Sequence, residues 1–484
     1  MRLLITTITC LVLSACQPFA ARPPTPLTIP DVFSGEAAID AAVIAERWWQ
    51  EFDDPLLDQM QTQLLTGNLN LRQAFLRLDQ LEARQRTAEA GLYPSLNLNA
   101  SGRREQTVSQ TGENQTTSGR VTVAAAYEVD LWQRLRQRTA AAELRMLAGE
   151  DEVRTLMLSL TARLAELYFV AVEQQAQLDL LEQRLRHNRE LVRVINDRYR
   201  SGLTSAAELY QAQQNLAQME AQTPLFENTL NQTSNAIALL LGLAPGNIRI
   251  ERRELPNLSS VIDIGLPASL LSRRPDVSAA LLELEAADRD LAAALADRLP
   301  RLDLSANLGR SITRLSSGDV TGTFWSLALG VAQPLFDGGR LKAASDLQEA
   351  IRDEKQLAAQ LKILTAIEEV ESALYAEQSS LTREQLLDQQ RLLNEEILKI
   401  RTENYLLGLS DSLELLRSEM TQLEVRSQQL SNQRQWISHR ISLIRALGGH
   451  WVGDELQRLQ STDYKRGSFE QTPGVVIVKG YWDQ

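Results

Sequence analysis

Cysteine is nearly missing from this chain of 484 residues: Cys10 and Cys16 are the only two. No disulfide framework or cysteine-based metal site can therefore form beyond the first 16 positions. Aromatic residues make up only 5%. Histidine is sparser still, and the three present (His187, His439 and His450) stand apart, none in a His-Glu-x-x-His arrangement. No Gly-x-Gly-x-x-Gly follows a strand pattern, and there is no phosphate-binding loop. Acidic side chains outnumber basic ones 62 to 50, a net charge of −12. That balance disfavours nucleic acid, whose phosphates need clustered Lys and Arg. Carboxylates are plentiful, but paired-acid catalysis needs a convergence that their scatter along helical stretches does not suggest. The expectation is of no enzyme, no catalytic residue, no metal and no cofactor.

The amino terminus reads MRLLITTITCLVLSAC, with Arg2 as positive flank, an apolar run from Leu3 to Leu13, and small residues before Cys16. This has the order of a secretory signal over 1–15, and its run is too short to span a bilayer, which takes about 20 residues. Residues 17–30 are rich in proline and read as an extended tether.

The strongest pattern is internal repetition. A constant, ungapped offset of 206 residues places Pro94 on Pro300, Arg134-Leu135 on Arg340-Leu341, and Tyr199 on Tyr405. It likewise places Gly202-Leu203 on Gly408-Leu409, Glu208-Leu209 on Glu414-Leu415, and Leu241-Gly242 on Leu447-Gly448. The division this predicts is a segment 16–54, a first repeat 55–248, a connector 249–268, a second repeat 261–448 and a tail 449–484. Each repeat orders its elements alike: a moderate helix, a β-hairpin (94–131 and 300–335), then long helices (134–241 and 340–447). The strands show period-2 alternation, as in Val121, Val123, Ala125 and Tyr127 against Thr122 and Glu128. Segments 103–119 and 313–322, made of Ser, Thr, Gly, Gln and Asn, read as polar loops between strands. From Arg134 to Arg200 there is no proline and one glycine, Gly149, so a helix of roughly 100 Å is permitted. Fourteen positions from 153 to 199 follow a 4-3 spacing, and twelve are apolar, a coiled-coil seam. Returning helices are expected over 204–241 and 411–447.

Strands of about ten residues have the length of transmembrane barrel strands. Four cannot close a cylinder, and lipid does not tolerate open edges. If they span a membrane, several copies must pool them; twelve strands from three chains is the smallest set that leaves a lumen. The competing reading is a structural coiled-coil lipoprotein without a pore.

With these residues in view, the chain resembles the TolC-type outer-membrane factors, in their lipidated OprM/NodT-like branch. The likeness rests on the lipobox Leu13-Ser14-Ala15-Cys16, Trp48-Trp49…Asp54-Pro55-Leu56, and Gly67-Asn68-Leu69-Asn70-Leu71-Arg72. It rests also on Tyr127-Glu128-Val129-Asp130-Leu131-Trp132, Arg273-Arg274-Pro275-Asp276, Gln333-Pro334-Leu335-Phe336-Asp337-Gly338-Gly339 and two Tyr-x-x-Gly-Leu turns. The resemblance implies an α+β membrane protein: a homotrimer whose 12-stranded transmembrane β-barrel, four strands per chain, continues into a periplasmic α-helical coiled-coil barrel. The termini and connector would form an equatorial collar. It implies an acyl lipid such as palmitate on Cys16 as the sole covalent adduct, and passive export of small molecules such as drugs. The implied partners are a periplasmic adaptor and an inner-membrane pump, of proton-driven RND type in multidrug systems. Metal-ion or polypeptide export through the same duct type is the alternative cargo. By the same likeness, Arg200, Gly202, Leu203, Leu407, Gly408 and Leu409 would be adaptor-contact tips. Asp411, Leu413, Glu414 and Arg417 would be gate candidates. Leu413 falls on the apolar constriction; Arg417 falls where the family places an anionic ring, so a gate ring of either sign fits, with Asp411, Glu414 and Glu419 as nearby acids.

Overall fold

The computed structural model describes residues 47–109, 112–250, 254–256, 274–315, 318–448 and 451–461. The segment 1–15 expected as a signal peptide, Cys16, most of the connector and the tail beyond 461 lie outside the described residues. After a 3-10 turn at Trp48–Phe52 come α1 (Pro55–Gly67), α2 (Leu69–Ala90), β1 (Ser95–Ser109), β2 (Gly112–Glu128) and α3 (Arg134–Arg200). Then follow α4 (Ala206–Glu220), α5 (Thr223–Leu240), α6 (Pro275–Ala296), β3 (Arg301–Leu315), β4 (Gly318–Ala332), α7 (Arg340–Leu406), α8 (Ser412–Leu447) and α9 (Trp451–Ser461). Hairpin and long helix of each half thus recur 206 residues apart, in the register that the sequence repeat sets.

Two compact units divide these elements. One takes Arg77–Asp151 and Ser278–Lys362, and holds the sheet with the adjoining parts of α2, α3, α6 and α7. Its strands run antiparallel in the order β1-β2-β3-β4, so the central pairing joins the two repeats, Tyr127 opposite Leu304 and Val123 opposite Leu308. At the strand–helix junction Arg134 contacts Glu128 at 2.6 Å and Asp297 at 3.5 Å. The Trp132 indole N–H donates to the Pro300 carbonyl at 2.7 Å.

The second unit contains residues 47–76 with Glu152–Val277 and the chain from Ile363 onward. Trp48, Trp49 and Phe52 are buried in one cluster with Leu57, Leu64, Met157, Leu164, Phe169, Ile237 and Ile441. The Phe52 and Phe169 rings meet edge-on at 4.9 Å, and Asp54 caps α1 by accepting from Leu56 N–H at 2.9 Å. Each fully buried Leu or Met here contributes about 1.5–3 kcal/mol. One 18-residue stretch of α3 has mean hydropathy 1.4, enough for a membrane span, yet 61% of it is buried within the chain. It is a core helix, as its 4-3 seam predicts.

Two sequence expectations fail. The polar segments 103–119 and 313–322 are mostly strand: Arg103 pairs with Ser118, Gln106 with Gln115 and Arg314 with Asp319. Antiparallel pairing satisfies their backbone whatever the side chains, so composition misleads. The returning helix expected over 204–241 is broken into α4 and α5 at Ala221 and Gln222. Pro224 has no N–H for the preceding turn and its ring crowds the carbonyl four residues back. The second repeat has Leu430 at that place, and α8 runs unbroken for 36 residues.

Candidate functional site

Three regions carry the predicted functional residues. The first is the sheet. Register aligns Leu98, Val123, Leu308 and Trp325 in one row, and Leu96, Ala125, Ala306 and Leu327 in the next. Because side chains alternate across a strand, these rows share one face. That face is bare: Trp325 is 78% exposed, Leu96 73% and Leu329 66%. The opposite face carries Asn97, Asn99, Thr122, Ser305, Asn307 and Ser326. The strands run 15–17 residues, longer than the 9–11 a bilayer needs. Their turn-proximal ends, with Arg103, Arg104, Glu105, Gln106, Arg314 and Asp319, are hydrophilic. β1 and β4 each have a neighbour on one side only.

The second region is the pair of helix turns. Gly202 (φ +72°) and Gly408 (φ +71°) adopt left-handed backbone conformation. Leu203 N–H donates to Arg198 O at 2.8 Å and Gly202 N–H to Tyr199 O at 2.9 Å; Leu409 N–H donates to Asn404 O at 2.8 Å and Gly408 N–H to Tyr405 O at 3.1 Å. Both are Schellman closures, in which a glycine at the left-handed position avoids the Cβ penalty. The hydrophobic residue that follows usually packs back on its helix. Here Leu203 and Leu409 are 69% and 74% exposed instead, beside exposed Leu406 and Leu407. The Arg198 guanidinium donates to the Tyr405 hydroxyl at 2.9 Å and lies 5.6 Å from that ring's centre, holding the two turns together. Arg200 is exposed at the end of α3.

The third region is the start of α8. Asp411 caps it, accepting from Glu414 N–H at 2.9 Å, as Ser205 caps α4 through Glu208 N–H at 3.2 Å. Glu414 forms an ion pair with Arg401 of α7. Arg401 stands where the first repeat has the buried Ile195. Two of the gate acids therefore have local partners. Arg417 is exposed, while the side chain of Leu413 lies outside the described residues. Glu419 is half-buried, and burial pushes its carboxyl up from the usual value against a smaller opposing pull from His187.

Sequence reasoning quoted Asp130 and Asp337 only as parts of motifs. Asp130 accepts from Leu135 N–H at 3.0 Å and Arg136 N–H at 2.9 Å; Asp337 accepts from Gly339 N–H at 3.0 Å and Leu341 N–H at 2.9 Å. Both aspartates lock a strand-to-long-helix turn, and the backbone donors, Leu341 first, hold Asp337 below the usual carboxylate range. Buried polar layers between helices were equally unread. Arg434 meets Glu173 at 2.9 Å, where Ser431 also donates at 2.7 Å, and Arg440 meets Glu377 at 2.6 Å. A polar helix position shows in sequence, but its partner 63 to 261 residues away does not.

A hairpin with one lipophilic face and long helices ending in matched turns, all written twice, defines an export channel of the outer membrane. The chain belongs to the outer membrane efflux protein family, whose model matches residues 61–243 and 266–449. It is 29% identical over 464 residues to the pyoverdine export outer membrane protein OpmQ of Pseudomonas putida, covering 93% of this chain and 98% of that one. To the outer membrane protein OprJ of Pseudomonas aeruginosa it is 30% identical over 455 residues, covering 91% and 94%. Among solved structures it superimposes on the outer-membrane channel OprN with a TM-score of 0.82 and 25% identity, over 89% of this chain and 99% of that one. The protein is an outer-membrane efflux component, a transport protein.

Proposed function

We propose that three copies of this chain pool their strands into one 12-stranded barrel, continued by their long helices as a periplasmic duct for small organic molecules. The observation that carries this is the sheet: an apolar face next to two edges, β1 and β4, with unspent hydrogen bonds. In lipid an unpaired edge is prohibitive, so β4 of one chain pairs with β1 of the next. With four antiparallel strands per chain, that junction is itself antiparallel, and the ring closes without a parallel seam. Cys16 carries the lipid, and segment 16–54, the connector 249–268 and the tail 449–484 form the equatorial collar around repeats 55–248 and 261–448. The exposed leucines at Leu203, Leu407 and Leu409, with Arg200, receive a periplasmic adaptor that links the duct to an inner-membrane RND-type pump. Asp411, Leu413, Glu414 and Arg417, each repeated three times round the axis, form the gate. Relatives named for pyoverdine, antibiotic and toluene export support small organic cargo.

The test is native mass measurement in mild detergent with conductance in planar bilayers. A heat-labile assembly of three mature chains that conducts ions is expected. A monodisperse, non-conducting single chain would overturn the proposal.

A further inference from the structure

Five helices of one chain, α3, α4, α5, α7 and α8, line a half-open pocket of about 370 Å³, within the size range of small-ligand sites. Leu181, Met219, Phe226 and Met420 form an apolar cluster that supplies its floor. Asn215, Gln218, Gln222 and Gln390 add amides to its wall. Met219 precedes the Pro224 break and Phe226 follows it, so the kink itself shapes the cavity.

One cation, Arg184, faces this space. Its Nε is buried without a hydrogen-bond partner, and one Nη reaches the Met420 carbonyl only at 3.5 Å. Among the described residues no carboxylate forms an ion pair with it. Glu424, on the same wall, accepts from Gln428 Nε2 at 2.9 Å and attracts Arg184 only at longer range. Burial draws the guanidinium down from its usual value, opposed by Glu424. Leaving a buried donor unmade is costly, and a guanidinium's rigid fork fits a planar or tetrahedral oxyanion. The repeat sharpens the point: the second-repeat counterpart of Arg184 is Gln390, which lines the same pocket uncharged.

We propose that this pocket is a binding site for a small amphipathic anion, a carboxylate, sulfonate or phosphate on an apolar body. The acid group pairs with the accessible Nη side of the Arg184 guanidinium, and the apolar body lies on Met219, Phe226 and Met420. All of its lining residues belong to one chain, so loss of ligand binding and loss of trimerisation are read by separate experiments.

The full chain in lipid nanodiscs would be titrated with 8-anilinonaphthalene-1-sulfonate, empty discs serving as blank. Its uncharged analogue, N-phenyl-1-naphthylamine, has the same aromatic body without the sulfonate. Saturable sulfonate binding is expected, weakened tenfold or more by Arg184→Gln while binding of the analogue changes less than twofold. Gln218→Glu, on an exposed helix position where folding is not at stake, should weaken the sulfonate in the same direction. Met219→Trp, filling the floor, should remove both ligands. Sulfonate affinity within twofold of wild type in both Arg184→Gln and Gln218→Glu, or no saturable binding at all, would overturn the site. Equal losses for both probes in Arg184→Gln would overturn the anion requirement.

Discussion

The two long helices are equal in length and register, yet they spend their apolar residues differently. On α3, Val153, Met157, Leu160, Leu164, Ala171, Leu181, Leu185 and Ile195 are buried within the chain. On α7, Leu357, Leu361, Tyr375, Leu386, Leu393, Ile397 and Ile400 are exposed. The return segments differ as well, broken at Pro224 in the first repeat and straight through Leu430 in the second. Duplication thus conserved the scaffold, caps and turns included, while substitution gave one copy the inward packing and left the other an outward apolar stripe. A stripe of this length on an otherwise acidic protein is what a neighbouring copy would cover in the proposed trimer.

The sharpest way to break this contrast is to exchange the kink. Leu430→Pro would remove a helical hydrogen bond and crowd a turn packed on the main core, costing about 3 kcal/mol or more. Pro224→Leu should leave stability nearly unchanged or raised, and fuse α4 to α5. Thermal melting together with amide exchange at 220–226 distinguishes them; equal destabilisation by both would mean the break is not a local proline effect.

Smaller changes are expected at the turns, where the repeats should behave alike. Gly202→Ala and Gly408→Ala each place a Cβ on left-handed backbone and should cost about 1–2 kcal/mol. A Cβ at either position meets nothing within 4 Å, so the loss is conformational strain alone, read from paired denaturation midpoints. A cost confined to one turn would show that the matched hydrogen bonds conceal different environments.

The smallest effect is at Glu419 in α8. Its carboxyl is raised above the ordinary 4.5 mainly by burial, so the native state favours its protonated form. Its contribution is therefore fully present below about pH 4.5 and is lost as pH rises through the elevated native value. Glu419→Gln should stabilise the protein slightly at neutral pH and flatten its stability between pH 4.5 and neutrality. An unchanged pH profile would contradict the burial.

Much of this architecture is legible in the linear chain. Helix lengths follow from missing prolines, turns from Gly202 and Gly408, and the lipophilic strand face from alternation at Val121–Tyr127 and Trp325–Val331. Strand extent is not, because Gln106 or Asn114 is held by its partner's backbone and not by its own propensity. The Pro224 break was visible as a proline, but its consequence depended on what packs there. At the gate, Asp411 reads as a free acid in sequence and is an N-cap in the fold. Glu414 reads the same way until Arg401 arrives from across the turn.

By itself, then, the sequence determined the repeat, the order of elements and the alternation, since each arises from neighbours a few residues apart or from a constant offset. Only the tertiary structure decided which apolar stripe is used up within the chain, which charges pair, and where a cation is left with unmade bonds. Those outcomes depend on residues hundreds of positions apart meeting at ångström distances, and periodicity carries no record of such meetings.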